Sequence, residues 1–434
     1  MKIPENKYKT KPLDCWSKAK ELRMEHYMSI ANAKEEGKLL VGGCARTPHP
    51  MLAGLGDYVF FGGEPYGASV SADHAFSAKA MKTFEGRGYA QEMCAYMRNH
   101  VGSMYMDKYL FTGGPFPKMD FIWSNRNCPC GHPKWHVLIS EHQGIPMMAI
   151  DDEFHHQHSG EMEQRNEYLI GQYLDSIDWL EKVSGRKYDD ARAIEAMKPY
   201  YEMECVWGEI NTLLATVPGP VDFKSMMSFV PIQMEMREDP RALEFLKVFR
   251  DEIKDRVDNQ IAAVPNETYR MAMNGIPPWS TLGLFRKLEK YGVVFVTSGA
   301  YMIWAKVIYH ADGTITASKT PDEMGWPQEK NREDMLKTFA RWKSELYDHF
   351  VVDVDDQVKH TVHLMKFTKI DGAVVNIDRG CPPASLGLID YKIALTEAGI
   401  PTVMTEMNHA DFRENDETLM MQNIETFLDC QLSA

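Results

Sequence analysis

Two turns in this chain set cysteine beside proline, and each follows an apolar run. They are Asn127-Cys128-Pro129-Cys130-Gly131-His132 and Arg379-Gly380-Cys381-Pro382-Pro383. A further cysteine, Cys94, sits in Glu92-Met93-Cys94-Ala95-Tyr96-Met97-Arg98. Thiolates are soft donors suited to zinc, copper(I) and iron–sulfur centres, and proline fixes the backbone that presents a turn cysteine. Iron–sulfur clusters usually take four thiolates. A zinc ribbon needs two short C-x-x-C pairs, which are absent. The competing reading is that these are buried structural thiols, a common state for cysteine. Spacing alone leaves both open. Cys15, Cys205 and Cys430 fall in helix-prone or terminal stretches and read as structural, while Cys44 ends a strand.

Other polar groups lie in comparable places. Glu64 follows an apolar run in Gly62-Gly63-Glu64-Pro65. In a dry pocket its carboxyl pKa would rise and it could transfer protons; otherwise it is a turn residue bonded to local backbone. His49, in Thr47-Pro48-His49-Pro50, is either a proton donor or a solvated loop residue. His132 and His136 flank Lys134-Trp135 beside the first cysteine turn, as proton donors or as packing groups. His155-His156-Gln157-His158 has metal-tract composition but follows a strand end in a loop. Asn125, Asn127 and Asn376 end strands and either line a pocket or simply form turns.

The elements that must position these residues are repeated. Phe121 to Asn125, the Cys128 turn, a helical stretch, Gly144-Ile145-Pro146 and Met147 to Ile150 form one unit. Ala373 to Ile377, the Cys381 turn, a helical stretch, Gly399-Ile400-Pro401 and Thr402 to Glu406 form the other. Cysteine and glycine stand 16 residues apart in the first and 18 in the second. Each reads as strand, turn, helix, strand, so the cysteines fall at the carboxyl edge of a parallel sheet, where open α/β folds bind ligands. Further strands are expected at 39–44, 58–61 and 293–296, a short helix at 50–55, and helices over 13–37, 72–110 (carrying Cys94), 329–349 and 357–368. Residues 160–260 show apolar spacing of three and four, the pattern of amphipathic helices, broken at Pro218-Gly219-Pro220. The expectation is an α/β protein with two Rossmann- or flavodoxin-like lobes, parallel sheets and extra helices. Its parts are 1–165, 166–270 and 271–434.

Length supports more than one core: 434 residues exceed an ordinary single domain. Net charge is −14 without a basic stripe, which argues against nucleic acid. No apolar run reaches the ~20 residues of a membrane span, and the polar N-terminus has no signal core. The expected location is the cytoplasm. The 29 methionines suit adaptable cores.

Taken together, these motifs resemble those of the 2-hydroxyacyl-CoA dehydratase and ATP-dependent benzoyl-CoA reductase family. The resemblance rests on the Cys94 segment, the Cys128 turn with Lys134-Trp135, and Gly275-Ile276-Pro277-Pro278-Trp279. It also rests on Asp371 to Cys381, Gly399-Ile400-Pro401 and Asp411-Phe412-Arg413. It implies a [4Fe-4S] cluster held by three cysteines: Cys94, Cys128 or Cys130, and Cys381, with Cys128 preferred because it follows its strand as Cys381 does. It implies a second, related cluster-binding subunit, an ATP-hydrolysing iron–sulfur activator and ferredoxin as electron source. This chain has no Gly-x-x-x-x-Gly-Lys-Ser/Thr loop of its own. Glu64 matches a family glutamate near the substrate, and His49 and His132 are the further proton-donor candidates. Pro50 stands where relatives usually have an acidic residue. That departure, with Met93 to Asn99 and Cys15 to Arg23, is similar to the reductase branch. The leading expectation is therefore low-potential reduction of an aromatic acyl-CoA ring to a cyclic diene. The alternatives are radical dehydration of a 2-hydroxyacyl-CoA and a non-catalytic electron-relay subunit.

Overall fold

The structure is a computed structural model that describes residues 3–125, 128, 131–151, 162–302, 305–345 and 354–432. Two four-stranded parallel sheets organise it. The first contains β1 (Leu39–Gly43), β2 (Tyr58–Gly62), β3 (Phe121–Asn125) and β4 (Met147–Ile150). Their order is β2-β1-β3-β4. The second contains β5 (Tyr269–Asn274), β6 (Val293–Ser298), β7 (Gly372–Ile377) and β8 (Thr402–Glu406), in the order β6-β5-β7-β8. The two orders are identical once each lobe is numbered from its own first strand. Every residue of β1 and β6 is buried, as expected of parallel strands covered on both faces. In both lobes the winding direction reverses between the first and third strands, and that switch point opens a crevice at the carboxyl edge.

Between the lobes in sequence lie four helices, 162–184, 190–213, 223–235 and 240–258. Asp189, Asp222 and Asp239 cap the last three, each carboxylate accepting a backbone N–H of the first turn. Such caps contribute roughly 1 kcal/mol each. The last helix buries Ala242, Phe245, Leu246, Phe249 and Ile253, one stripe at helical spacing. No helix among the described residues is long and apolar enough to cross a membrane.

Two expectations need correction. The stretch 72–110 is not one helix. It divides into α2 (His74–Glu85) and α3 (Ala95–Tyr105), after α1 (Gly63–Ala72). Gly88, in the left-handed region, lies in the break, and Cys94 precedes α3 as its N-cap rather than lying within a helix. The second lobe begins not with 293–296 but with β5, which straddles position 271. Its polar residues hid it: Arg270 is buried only because Glu267 pairs with it at 2.6 Å and the carbonyls of Leu214 and Thr368 accept from it.

Candidate functional site

The described cysteines sort by depth. Cys15, Cys44 and Cys205 are buried and Cys430 is exposed. Cys94, Cys128 and Cys381 are the half-buried ones. Cys128 and Cys381 follow β3 and β7, each beside its lobe's switch point. The Cys128 carbonyl accepts the N–H groups of Gly131 and His132, closing the turn into α4 (His132–Gln143).

Helix α3 carries Cys94 from the first lobe to the second. Arg98 Nη1 donates to Asp411 Oδ2 at 2.7 Å, with both side chains fully buried. Asn99 donates to the Ala410 carbonyl at 3.1 Å, and the Tyr96 hydroxyl meets the Trp279 indole N–H. These contacts bring Cys94 Sγ to 3.8 Å from His409 Nε2, a reach open to a large sulfur. The other nitrogen, Nδ1, donates to Asp378 Oδ2 at 2.7 Å. Burial opposes charge on the His409 ring, but Asp378 and then Cys94 outweigh it and lift its pKa to about 10. Asp378 also braces the second cysteine turn, its carboxylate accepting from Gly380 N–H and its carbonyl from Cys381 N–H. Cys94 and Cys381 both act electrostatically on the buried Tyr96 hydroxyl, whose pKa burial pushes up. The structure thus links Cys94 and Cys381 through His409, Asp378 and Tyr96, while Cys128 follows β3 at the carboxyl edge of the first sheet.

Glycine is required where the loop after β5 crosses β7. Gly275 has φ +95°, and a Cβ there would lie 2.5 Å from the Asn376 carbonyl oxygen. Asn376 in turn donates to the carbonyls of Ile276 and Met407. It ties three loops of the edge together.

A second polar group lies on the edge of the first sheet. His132 Nε2 is 2.8 Å from Glu64 Oε1, and Glu64 Oε2 accepts from Ala45 N–H at 3.0 Å. Cys44 joins them. Burial disfavours a charged ring at His132, but Glu64 and Cys44 offset it and hold the pKa well above the ordinary histidine value. Burial likewise pushes the Cys44 thiol up, yet His132 reverses this and the net shift is downward. Cys44 directly follows β1, Glu64 lies in the first turn of α1 after β2, and His132 opens α4 after the Cys128 turn.

The remaining candidates divide. His49 does not join Glu64 and His132. It is fully buried, stacked on Phe60 at 4.3 Å and 3.1 Å from Glu238. His136 is buried, and burial with neighbouring His132 holds its pKa well below the ordinary value. Asn125 bonds the Tyr173 hydroxyl. Asn127, Cys130 and the tract His155 to His158 lie outside the described residues. Sequence reading missed Asp378 and His409 as partners of the cysteines. The available signal was position: Asp378 and His409 follow β7 and β8 at the same sheet edge. It also left Cys44 unassigned.

Comparison with known proteins shows the family of the chain. The family model described as 2-hydroxyglutaryl-CoA dehydratase, D-component, matches residues 44–430. The chain is 27% identical to the (R)-2-hydroxyisocaproyl-CoA dehydratase alpha subunit of Clostridioides difficile, covering 91% of this chain and 90% of the relative. It is 25% identical to the (R)-phenyllactyl-CoA dehydratase alpha subunit of Clostridium sporogenes, over 92% and 93%. Against a benzoyl-CoA reductase subunit of Thauera aromatica identity is 22%, over 79% and 77%.

Proposed function

Because the chain belongs to the 2-hydroxyglutaryl-CoA dehydratase D-component family, we propose that it is the cofactor-holding subunit of a 2-hydroxyacyl-CoA dehydratase. The observation that carries this is coverage: two dehydratase alpha subunits match over nine-tenths of both chains, and the reductase subunit matches over less. This reverses the order expected from the Pro50 departure, which put aryl-CoA reduction first. The reductase reading keeps the support of the Thauera aromatica match.

In this reading Cys94, Cys128 and Cys381 hold an iron–sulfur cluster. Their half-burial supports this, since such sulfurs are sheltered yet can still reach a ligand. A cluster there would supply single electrons at low potential. The chain's own residues do the rest. Arg98 and Asn99 fix Cys94 against the second lobe, and Asp378 sets both the Cys381 turn and the His409 ring. Glu64 and His132 present polar groups toward the acyl end of the substrate. A second, related subunit, an ATP-hydrolysing activator and ferredoxin complete the system; the subunit naming of the relatives supports the first of these.

The test is iron content after anaerobic purification. Cys94→Ala and Cys381→Ala are expected to lose most of the iron and the cluster absorption, while Cys430→Ala keeps both. Full iron and an unchanged spectrum in Cys381→Ala would rule out the ligand assignment.

A further inference from the structure

Cys44, Glu64 and His132 place a sulfur, a carboxylate oxygen and an imidazole nitrogen within 4.8 Å of one another, the one such group among the described residues. Two of the three residues are buried and Glu64 is half-buried. In a hydrogen-bonded relay the carboxylate and the thiol sit on opposite ring nitrogens. Here they do not. Glu64 Oε1 faces Nε2, and His132 Nδ1 is buried with no hydrogen-bond partner among the described residues. The Cys44 sulfur lies within 4.8 Å of both the carboxylate oxygen and a ring nitrogen. Three donors surround one point in space. A proton at that point bonds two of them; a metal cation bonds all three.

Charge points the same way. A divalent cation held by a thiolate, a carboxylate and a neutral imidazole forms a neutral group, which suits a mostly buried site. Its binding would release the protons carried by the thiol and by the ring nitrogen it takes. One sulfur, one nitrogen and one oxygen ligand suit zinc, and three protein ligands with a fourth position left to water or substrate are the pattern of catalytic rather than structural zinc.

We propose that Cys44, Glu64 and His132 form a binding site for one divalent cation of the zinc class, separate from the thiols at Cys94 and Cys381. Cys44 directly follows β1, Glu64 lies in the first turn of α1 just after β2, and His132 opens α4, so one strand end and two helix starts set their spacing. If the acyl-CoA reading above holds, the fourth position takes an oxygen of the substrate; the metal site itself does not depend on that reading.

The experiment uses the full chain in a Cys94→Ser/Cys128→Ser/Cys130→Ser/Cys381→Ser background, which removes the competing thiols. The protein is incubated with zinc, desalted and assayed for bound metal; a parallel sample takes cobalt(II) for absorption spectroscopy. The expected result is about one zinc per chain and a thiolate-to-cobalt charge-transfer band. Adding Cys44→Ser or His132→Ala should abolish both. Zinc should also raise the Tm of the background protein by mass action. If Cys44→Ser does not fold, Cys44→Asp, which keeps a ligand, is expected to retain zinc and lose only the charge-transfer band. Absence of zinc and of the band in the background protein, or a band that survives Cys44→Ser, overturns the proposal and leaves the trio as a hydrogen-bonded group. Loss of iron binding at Cys94 and Cys381 is read in a different variant set, so failure of one assignment does not decide the other.

Discussion

His100 lies on α3 with both ring nitrogens buried and unpartnered among the described residues. Its neighbours are the rings of Phe61, Tyr66, Phe116 and Trp135, at centroid distances of 5.0, 5.2, 5.5 and 5.5 Å. Burial lowers its pKa from 6.5 to about 3. In the unfolded chain the ring protonates near 6.5; in the folded chain it stays neutral down to about 3. Its contribution to stability is thus complete above pH 6.5 and is lost as pH falls toward 3, at about 1.4 kcal/mol per unit. His100→Phe keeps an aromatic ring and removes the titration. Urea unfolding at about pH 7 and about pH 5 should show the variant losing about 2 kcal/mol less than wild type on acidification. Equal losses would contradict the account. Nothing in the sequence marks His100 as a core residue, because its burial comes from rings up to 39 positions away. The cysteines are the opposite case: Cys128 and Cys381 were legible because each follows an apolar strand in a repeated unit.

At the scale of elements, α2 and α3 pack at close range. A Cβ on Gly102 would lie 2.1 Å from the Ala80 carbonyl oxygen. The atom in the way is backbone, so no rotamer change relieves it. Gly102→Ala is expected to cost at least about 1–3 kcal/mol, as overpacking does, and to lower Tm; an unchanged Tm would show that the helices can separate. Because Cys94 is the N-cap of α3, the same shift should loosen the hold on iron. Most of the strands were legible as apolar runs punctuated by glycine and proline. The strand β5 was not, because Arg270 and Asn274 interrupt its apolar pattern, and burial of Arg270 depends on Glu267 and on distant carbonyls. The break between α2 and α3 had a signal, Gly86-Arg87-Gly88, that helical periodicity on either side obscured.

The whole molecule is a duplicated α/β unit closed across its two carboxyl edges. The duplication was visible in the sequence as paired cysteine turns and Gly-Ile-Pro turns, and the structure extends it to identical strand orders. The closure was not visible, because its contacts join positions some three hundred residues apart. Arg98 is its centre, meeting Asp411 and Glu414 across the lobes and Glu85 within its own. Arg98→Met leaves Asp411 buried with Arg413 as its remaining partner. Loss of one partner of a buried pair costs about 3–5 kcal/mol, and Arg413 should hold the effect near the lower end. Denaturant unfolding is expected to show that loss, with iron retention falling in step; wild-type stability would mean that other contacts hold the lobes. The central claim, dehydration of a 2-hydroxyacyl-CoA, is tested most directly by turnover. The chain is assembled with its related second subunit and the reduced activator, and supplied separately with an (R)-2-hydroxyacyl-CoA and with benzoyl-CoA. The account predicts formation of the 2-enoyl-CoA and no loss of the aromatic ring. Conversion of benzoyl-CoA to a cyclic diene, with the hydroxyacyl-CoA untouched, would contradict it.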